Sequence, residues 1–211
     1  FRRVLFRSDG TPINQLSLIA FPTRELFVQK IDEFDLIIFD RYKRRGVLPI
    51  LYFDNIARYV RDGGAVLIAA GPEYAEPSSI ATTPLNVVLP GLANGRIVEE
   101  PFVPQISETG LKHPVTRNLD GWRQDGPNWG RWFRSVGVED ENGEAVIVDG
   151  EEQPILILQR QEEGRVALFL SDHVWLWSRG FEGGGPHGKL LRRLAHWLMK
   201  EPELEEERLV A

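Results

Sequence analysis

The sequence predicts an α/β fold built on a mainly parallel central sheet, and three patterns carry that prediction. Residues 34–39 (FDLIIF) and 65–70 (AVLIAA) are short, nearly continuous apolar runs, the signature of strands buried on both faces. Between them, Phe53, Ile56, Ala57 and Val60 recur at helical spacing and stop at Gly63-Gly64. Strand, helix and strand joined by short connections form a βαβ unit, whose crossover is right-handed between parallel strands.

From 71 to about 130 the chain shows little periodicity and becomes rich in Pro, Gly and Thr. That stretch is too long for an ordinary connection, so it is where individuality and function are expected to lie. Regular patterns return at 145–148 (AVIV), 155–158 (ILIL) and 166–170 (VALFL), and the last two flank a Gln161 to Gly164 turn that reads as a hairpin. The final helix starts at Pro186, carries Leu190, Leu191, Leu194, Ala195 and Leu198 on one face, and ends before Pro202.

Composition narrows the function. The chain has 211 residues, with 25 Lys and Arg against 31 Asp and Glu, a net charge of −6 that argues against a nucleic-acid partner. It has no Cys, which excludes disulfides, thiolate metal sites and every cysteine nucleophile. No apolar run is long enough to span a bilayer, and no signal pattern opens the chain. Residues 1–8 (FRRVLFRS) lack an initiator Met and read as an appended sequencing-adapter sequence, while 201–211 form an acidic run that stops abruptly. The chain is therefore read as a single domain over 9–200, cut from a longer protein.

In open α/β sheets ligands bind beyond the carboxyl ends of the strands. Those ends are Asp40-Arg41-Tyr42, Gly71-Pro72-Glu73-Tyr74 and Ser171-Asp172-His173. Asp172 could orient His173 as a base, with Asp40 or Glu73 as a second acid; alternatively these carboxylates cap helices or sit in water. No HxH, HExxH or DxD spacing is present, so neither a metal nor another cofactor is expected. The strand-to-helix elbow where hydrolases place a nucleophile reads Ala69-Ala70-Gly71-Pro72-Glu73, without Ser or Cys. Gly183 to Pro186, beside Arg179 and His187, offers either an anion-binding helix start or a plain turn. Trp122, Trp129, Trp132, Trp175 and Trp177 fall in two groups that either anchor loops or form a recognition surface.

Four stretches, 34–42 (FDLIIFDRY), 59–75 (YVRDGGAVLIAAGPEYA), 113–119 (HPVTRNL) and 164–207 beginning GRVALFLSDHVWLWSRGF, resemble the class I glutamine amidotransferase-like superfamily. Within it they resemble the amidotransferase-like domain of large bacterial membrane proteins, a group similar to trehalose-utilisation-type proteins. The resemblance implies a flavodoxin-like three-layer sandwich ending in a hairpin plus helix. It also implies a degenerate site, because the family's elbow Cys is missing; His173 is the one position it transfers. Such relatives are inner-membrane proteins, encoded beside a MoxR-type ATPase and von Willebrand-type modules, with spans outside the domain. That implies a domain facing the periplasm within an envelope assembly.

The expected function is thus a non-catalytic domain that binds a protein partner or small ligand through Asp40, Arg41, Glu73, His173, Trp175 and Arg179. A hydrolase or lyase using His173 with Asp172 is the rival, and a rigid spacer between membrane segments is the third reading.

Overall fold

The computed structural model describes residues 22–123, 125–139 and 141–201, together with the backbone of residues 3–7. The acidic run beyond residue 201 lies outside the described residues. Nine strands are present among them: β1 (Arg3–Arg7), β2 (Leu36–Asp40), β3 (Ala65–Ala69), β4 (Leu92–Val98), β5 (Gln105–Ile106), β6 (Ser135–Glu139), β7 (Glu144–Val148), β8 (Pro154–Gln161) and β9 (Gly164–Phe169). Four α-helices accompany them: α1 (Ile50–Arg61), α2 (Glu108–Lys112), α3 (Trp175–Ser178) and α4 (His187–Leu198).

Seven strands form one sheet in the order β1-β2-β3-β9-β8-β7-β5, while β4 and β6 pair as a separate ribbon. The sheet is mixed: β1, β2, β3 and β9 run parallel, whereas β8, β7 and β5 continue it antiparallel. The reason is local. A tight turn, with Glu162 at φ 52, can return the chain from β8 to β9 only as an antiparallel partner. Arg3–Arg7, set aside in the sequence reading as appended, pairs in register with β2 from Arg3 opposite Leu36 to Arg7 opposite Asp40. A short segment with three consecutive apolar residues, Val4-Leu5-Phe6, can add to a parallel edge whatever its origin.

Both faces of the sheet are buried, as the continuous apolar strands require. On one face Ile37, Phe39, Val66 and Ile68 pack with Phe53, Ile56 and Val60 of α1. On the other Leu36, Ala65, Ala167 and Phe169 pack with Leu190, Leu194 and Trp197 of α4 and with Trp132 and Trp177. The turn from α1 into β3 is closed by Tyr59, whose hydroxyl donates to Phe34 O at 2.8 Å and accepts the N–H of Ala65. The Tyr59 ring lies so close to Gly64 that a Cβ there would meet it at 2.2 Å, which explains the glycine where the apolar stripe stops.

The segment over residues 71–130 contains mostly short 3₁₀ turns, β4, β5 and α2, and its anchors are local polar bonds. Ser79 and Thr83 cap successive turns by accepting the N–H of Ala81 and Leu85, and the Tyr74 hydroxyl donates to Gly91 O at 2.6 Å. His113 ends α2 with Nδ1 accepting the N–H of Val115, and its ring meets that of Trp197 edge-on at 5.5 Å. It is a buried structural histidine. No helix among the described residues is long and apolar enough to cross a membrane.

Candidate functional site

The parallel strands β2, β3 and β9 deliver their carboxyl ends side by side, and the charged groups there form one connected cluster. Arg41 leaves β2 with φ 46, a left-handed conformation that a side chain rarely adopts, while its N–H donates to Ala69 O at 2.8 Å. That backbone turn aims the guanidinium along the sheet edge. It grips Glu73 through Nη2 to Oε1 at 2.6 Å and Nε to Oε2 at 3.3 Å, and reaches Asp172 Oδ2 at 3.4 Å. Asp172 is held from the opposite side by Arg134, with Nη2 to Oδ2 at 2.7 Å and Nε to Oδ1 at 3.2 Å. A carboxylate 8 % exposed therefore sits between two guanidiniums, a satisfied arrangement for a nearly buried charge. Each carboxylate in turn holds the guanidinium protonated: Glu73 raises Arg41 and Asp172 raises Arg134 above the ordinary arginine value.

His173 borders this cluster without joining it as a base. Its Nδ1 accepts the backbone N–H of Phe133 at 3.0 Å, and Nε2 stands 3.9 Å from Asp172 Oδ1, beyond hydrogen-bond reach. The bond to Nδ1 assigns the neutral ring its proton on Nε2, so the atom facing the cluster is a donor. Desolvation lowers the pKa of His173, and the attraction of Asp172 opposes that only in part. An Asp172-oriented base would need the opposite arrangement, with Nδ1–H donated to the carboxylate and Nε2 free.

The elbow after β3 holds no nucleophile and has no room for one. Residues 69–75 show no positive φ, and the chain passes from Gly71 into a 3₁₀ turn, Pro72–Ala75, instead of an α-helix. A Cβ at Gly71 would lie 2.7 Å from Glu73 Oε2 and 2.8 Å from Arg41 Nε. The cavity bounded by Arg41, Ala70, Gly71, Glu73 and Tyr74 measures only about 10 Å³. That is space for about one water, not for a substrate. Among the described residues no group of His, Asp and Glu is placed to hold a metal ion.

The remaining predicted residues lie around the rim. Asp40 ends β2, half-buried and in register with Ala69. Trp175 opens α3 and is 52 % exposed, and Arg179 follows that helix on the surface. Trp175 thus stands apart from Trp129, Trp132 and Trp177, which are buried against one another with Trp132 and Trp177 ring centres 4.6 Å apart. The glycine-rich turn spends its own amides: Gly183 N–H donates to Gly180 O, and Gly184 N–H to Phe181 O. Gly185 lies under the Trp177 ring, so the segment is a packed turn rather than an anion cradle. Two contributors escaped the sequence reading. Arg134 and the Phe133 amide sit in aperiodic chain, forty or so residues before their partners, and tertiary bonds such as Val136 N–H to Leu170 O and Ser171 Oγ to Arg134 O bring them there.

No protein-family model matches the chain, and no curated protein sequence matches it either. Solved structures do share its fold. A cytoplasmic protein from Salmonella typhimurium superposes with a TM-score of 0.65 at 19% identity, covering 85% of this chain and 76% of its own. A second cytoplasmic protein, from strain LT2 of that organism, gives 0.64 at 19% identity over 84% and 76%. A ThuA-like protein from Parabacteroides merdae gives 0.50 at 14% identity over 93% and 77%. These comparisons correct the resemblance drawn from the sequence. The likeness that stands is one of fold, shared with the two cytoplasmic proteins and the ThuA-like protein, and nothing ties the chain to a domain of bacterial membrane proteins. The inner-membrane, periplasm-facing assignment falls with it, since the two Salmonella matches are described as cytoplasmic proteins. At these identities the matches establish a mixed α/β architecture shared with such proteins, and no activity.

Proposed function

We propose that this is a non-catalytic binding domain on a flavodoxin-like three-layer scaffold, with its recognition face on the carboxyl edge of the sheet. One observation carries the reading: the place where the fold would hold a reacting group is filled by the Arg41–Glu73 and Arg134–Asp172 pairs, leaving about 10 Å³. Ion pairs closed in this way make a rigid, chemically quiet floor. The Nε2–H of His173, the outer edge of Arg41 and the exposed Trp175 ring offer a donor, a cation and an apolar face on its rim. Large aromatic and Arg side chains are the groups that anchor protein partners and small ligands most effectively.

The test is a thermal-shift and NMR screen of a carbohydrate and amide library and of candidate protein partners, using the wild type and the Trp175→Ala, His173→Ala and Arg41→Ala variants. Binding without turnover that weakens about tenfold or more in the variants fits the proposal, tenfold being the loss of about one good contact. Saturable turnover of a library member, abolished by His173→Ala, overturns it in favour of a hydrolase or lyase.

A further inference from the structure

The ribbon β4–β6 and the turn between β7 and β8 enclose a cavity of about 600 Å³ that shares none of the residues of the ion-pair cluster. Its volume lies within the roughly 300–1,000 Å³ of small-ligand sites. Ser135, Val136, Gly137 and Val138 of β6 all line the cavity, and Val136 and Val138 also pack against the hydrophobic core. Ser135 is 5 % exposed, and its hydroxyl makes no hydrogen bond among the described residues. The hydroxyl is open to the cavity, where it can pair with a polar group that enters.

The cavity wall is shaped by a deliberate irregularity. The β4–β6 register shifts between Ala93 and Ile97, with Gly95 at φ 81. Asn94 pins this bulge, its Oδ1 accepting the Arg96 N–H at 3.0 Å and its Nδ2 donating to Val138 O at 3.3 Å. Bulges re-aim side chains beside functional sites, and this one delivers Arg96 to the cavity. Glu100 and Glu151 line the same space, and none of these three charged groups has an ion pair or side-chain hydrogen bond among the described residues. Phe102 and Val103 add apolar surface to the same cavity. Pro104, which lacks an N–H, immediately precedes the edge strand β5 and disfavours its extension by an added strand.

Unpaired charges of both signs around one cavity suit a ligand that carries both. We infer that the cavity takes a short peptide with free ends, its carboxylate on Arg96, its ammonium at Glu100 and Glu151, and an apolar side chain against Phe102. A single amino acid would leave most of the volume to water. This inference stands independently of the carboxyl-edge reading.

The experiment uses three probes, the tripeptide Ala-Leu-Ala, its N-acetyl form and its C-terminal amide, titrated into the full chain by calorimetry and NMR. The free tripeptide is expected to shift the amide signals of Ser135, Gly137 and Gln153, and each blocked form to bind about tenfold more weakly. Arg96→Ala should erase discrimination against the amide alone, and the double variant Glu100→Gln with Glu151→Gln should erase discrimination against the acetylated form alone. Such crossed losses isolate each contact. Equal affinity of the three peptides for the wild type, or no shift at those amides with any of them, overturns the inference.

Discussion

Phe133 hands its backbone N–H to His173 Nδ1 across 3.0 Å, tying the loop before β6 to the chain beyond β9 through one acceptor atom. Protonating the imidazole destroys that acceptor and adds a cation beside Arg134 and Arg41, both of which already depress its pKa. His187, at the start of α4, is lowered by desolvation as well. Both histidines therefore bind protons more readily in the unfolded chain than in the folded one. Their contribution to stability is complete above the unfolded value of 6.5 and is lost as pH falls from there through the lower folded values. Urea unfolding at pH 7.5 and at pH 5.5 should show a lower midpoint at the acid end. His173→Asn, which keeps an acceptor that does not titrate, should flatten that slope; an unchanged slope would remove His173 from the account.

Arg134→Ala leaves Asp172 nearly buried with only the longer contact to Arg41. The loss should be about 2 kcal/mol, in the range for a buried charged acceptor deprived of a partner. Adding Asp172→Asn should restore part of it, because the uncompensated charge is gone. Chemical denaturation of the two single variants and the double variant forms a cycle, and strictly additive losses would contradict the pairing.

Trp132 and Trp177 make a contrast within one aromatic cluster. Trp177 Nε1 donates to Gly130 O at 2.8 Å, whereas Trp132 Nε1 is fully buried without a partner among the described residues. Replacing Trp132 by Phe deletes an unsatisfied donor; replacing Trp177 by Phe orphans a carbonyl. Trp177→Phe should therefore cost about 1 kcal/mol more than Trp132→Phe, while Trp132→Ala should cost about 3–5 kcal/mol through the cavity it opens. Thermal unfolding of the three variants checks the order.

Two glycines should respond in opposite directions to alanine. At Gly164 a Cβ would stand 1.8 Å from Val60 O, so the start of β9 or the end of α1 must move, and the protein should lose several degrees of melting temperature. Gly188, inside α4, faces open space, and alanine there should add about 0.5–1 kcal/mol. A destabilised Gly188→Ala would mean that α4 packs differently near its start.

What the sequence made legible was whatever periodicity encodes. The βαβ unit from β2 to β3, the β8–β9 hairpin and the α4 stripe emerge within about three residues of their expected limits. The ribbon was hidden because β4 (LANGRIV) carries Asn94-Gly95, a pair that signals a tight turn, yet uses it for a bulge inside a strand. At the carboxyl edge, Arg41, Glu73 and Asp172 were foreseen because each directly follows a readable strand. Arg134 was not, since its role comes from tertiary packing alone. The setting of His173 also depends on something no sequence pattern encodes: which imidazole nitrogen the Phe133 amide occupies.

The seam between β3 and β9 joins the two halves of the chain: Ala65 lies opposite Arg165, a hundred residues later. Neither half completes the sheet by itself, for β1, β2 and β3 lack an inner neighbour until the β8–β9 hairpin arrives. During synthesis β3 must wait, unpaired along one side, until nearly all of the described chain has emerged. Long-range parallel pairing of this kind slows folding and leaves an exposed apolar edge in the meantime. The nascent protein should therefore depend on chaperones more than its modest size suggests, and a truncation before residue 164 should aggregate instead of yielding a smaller domain.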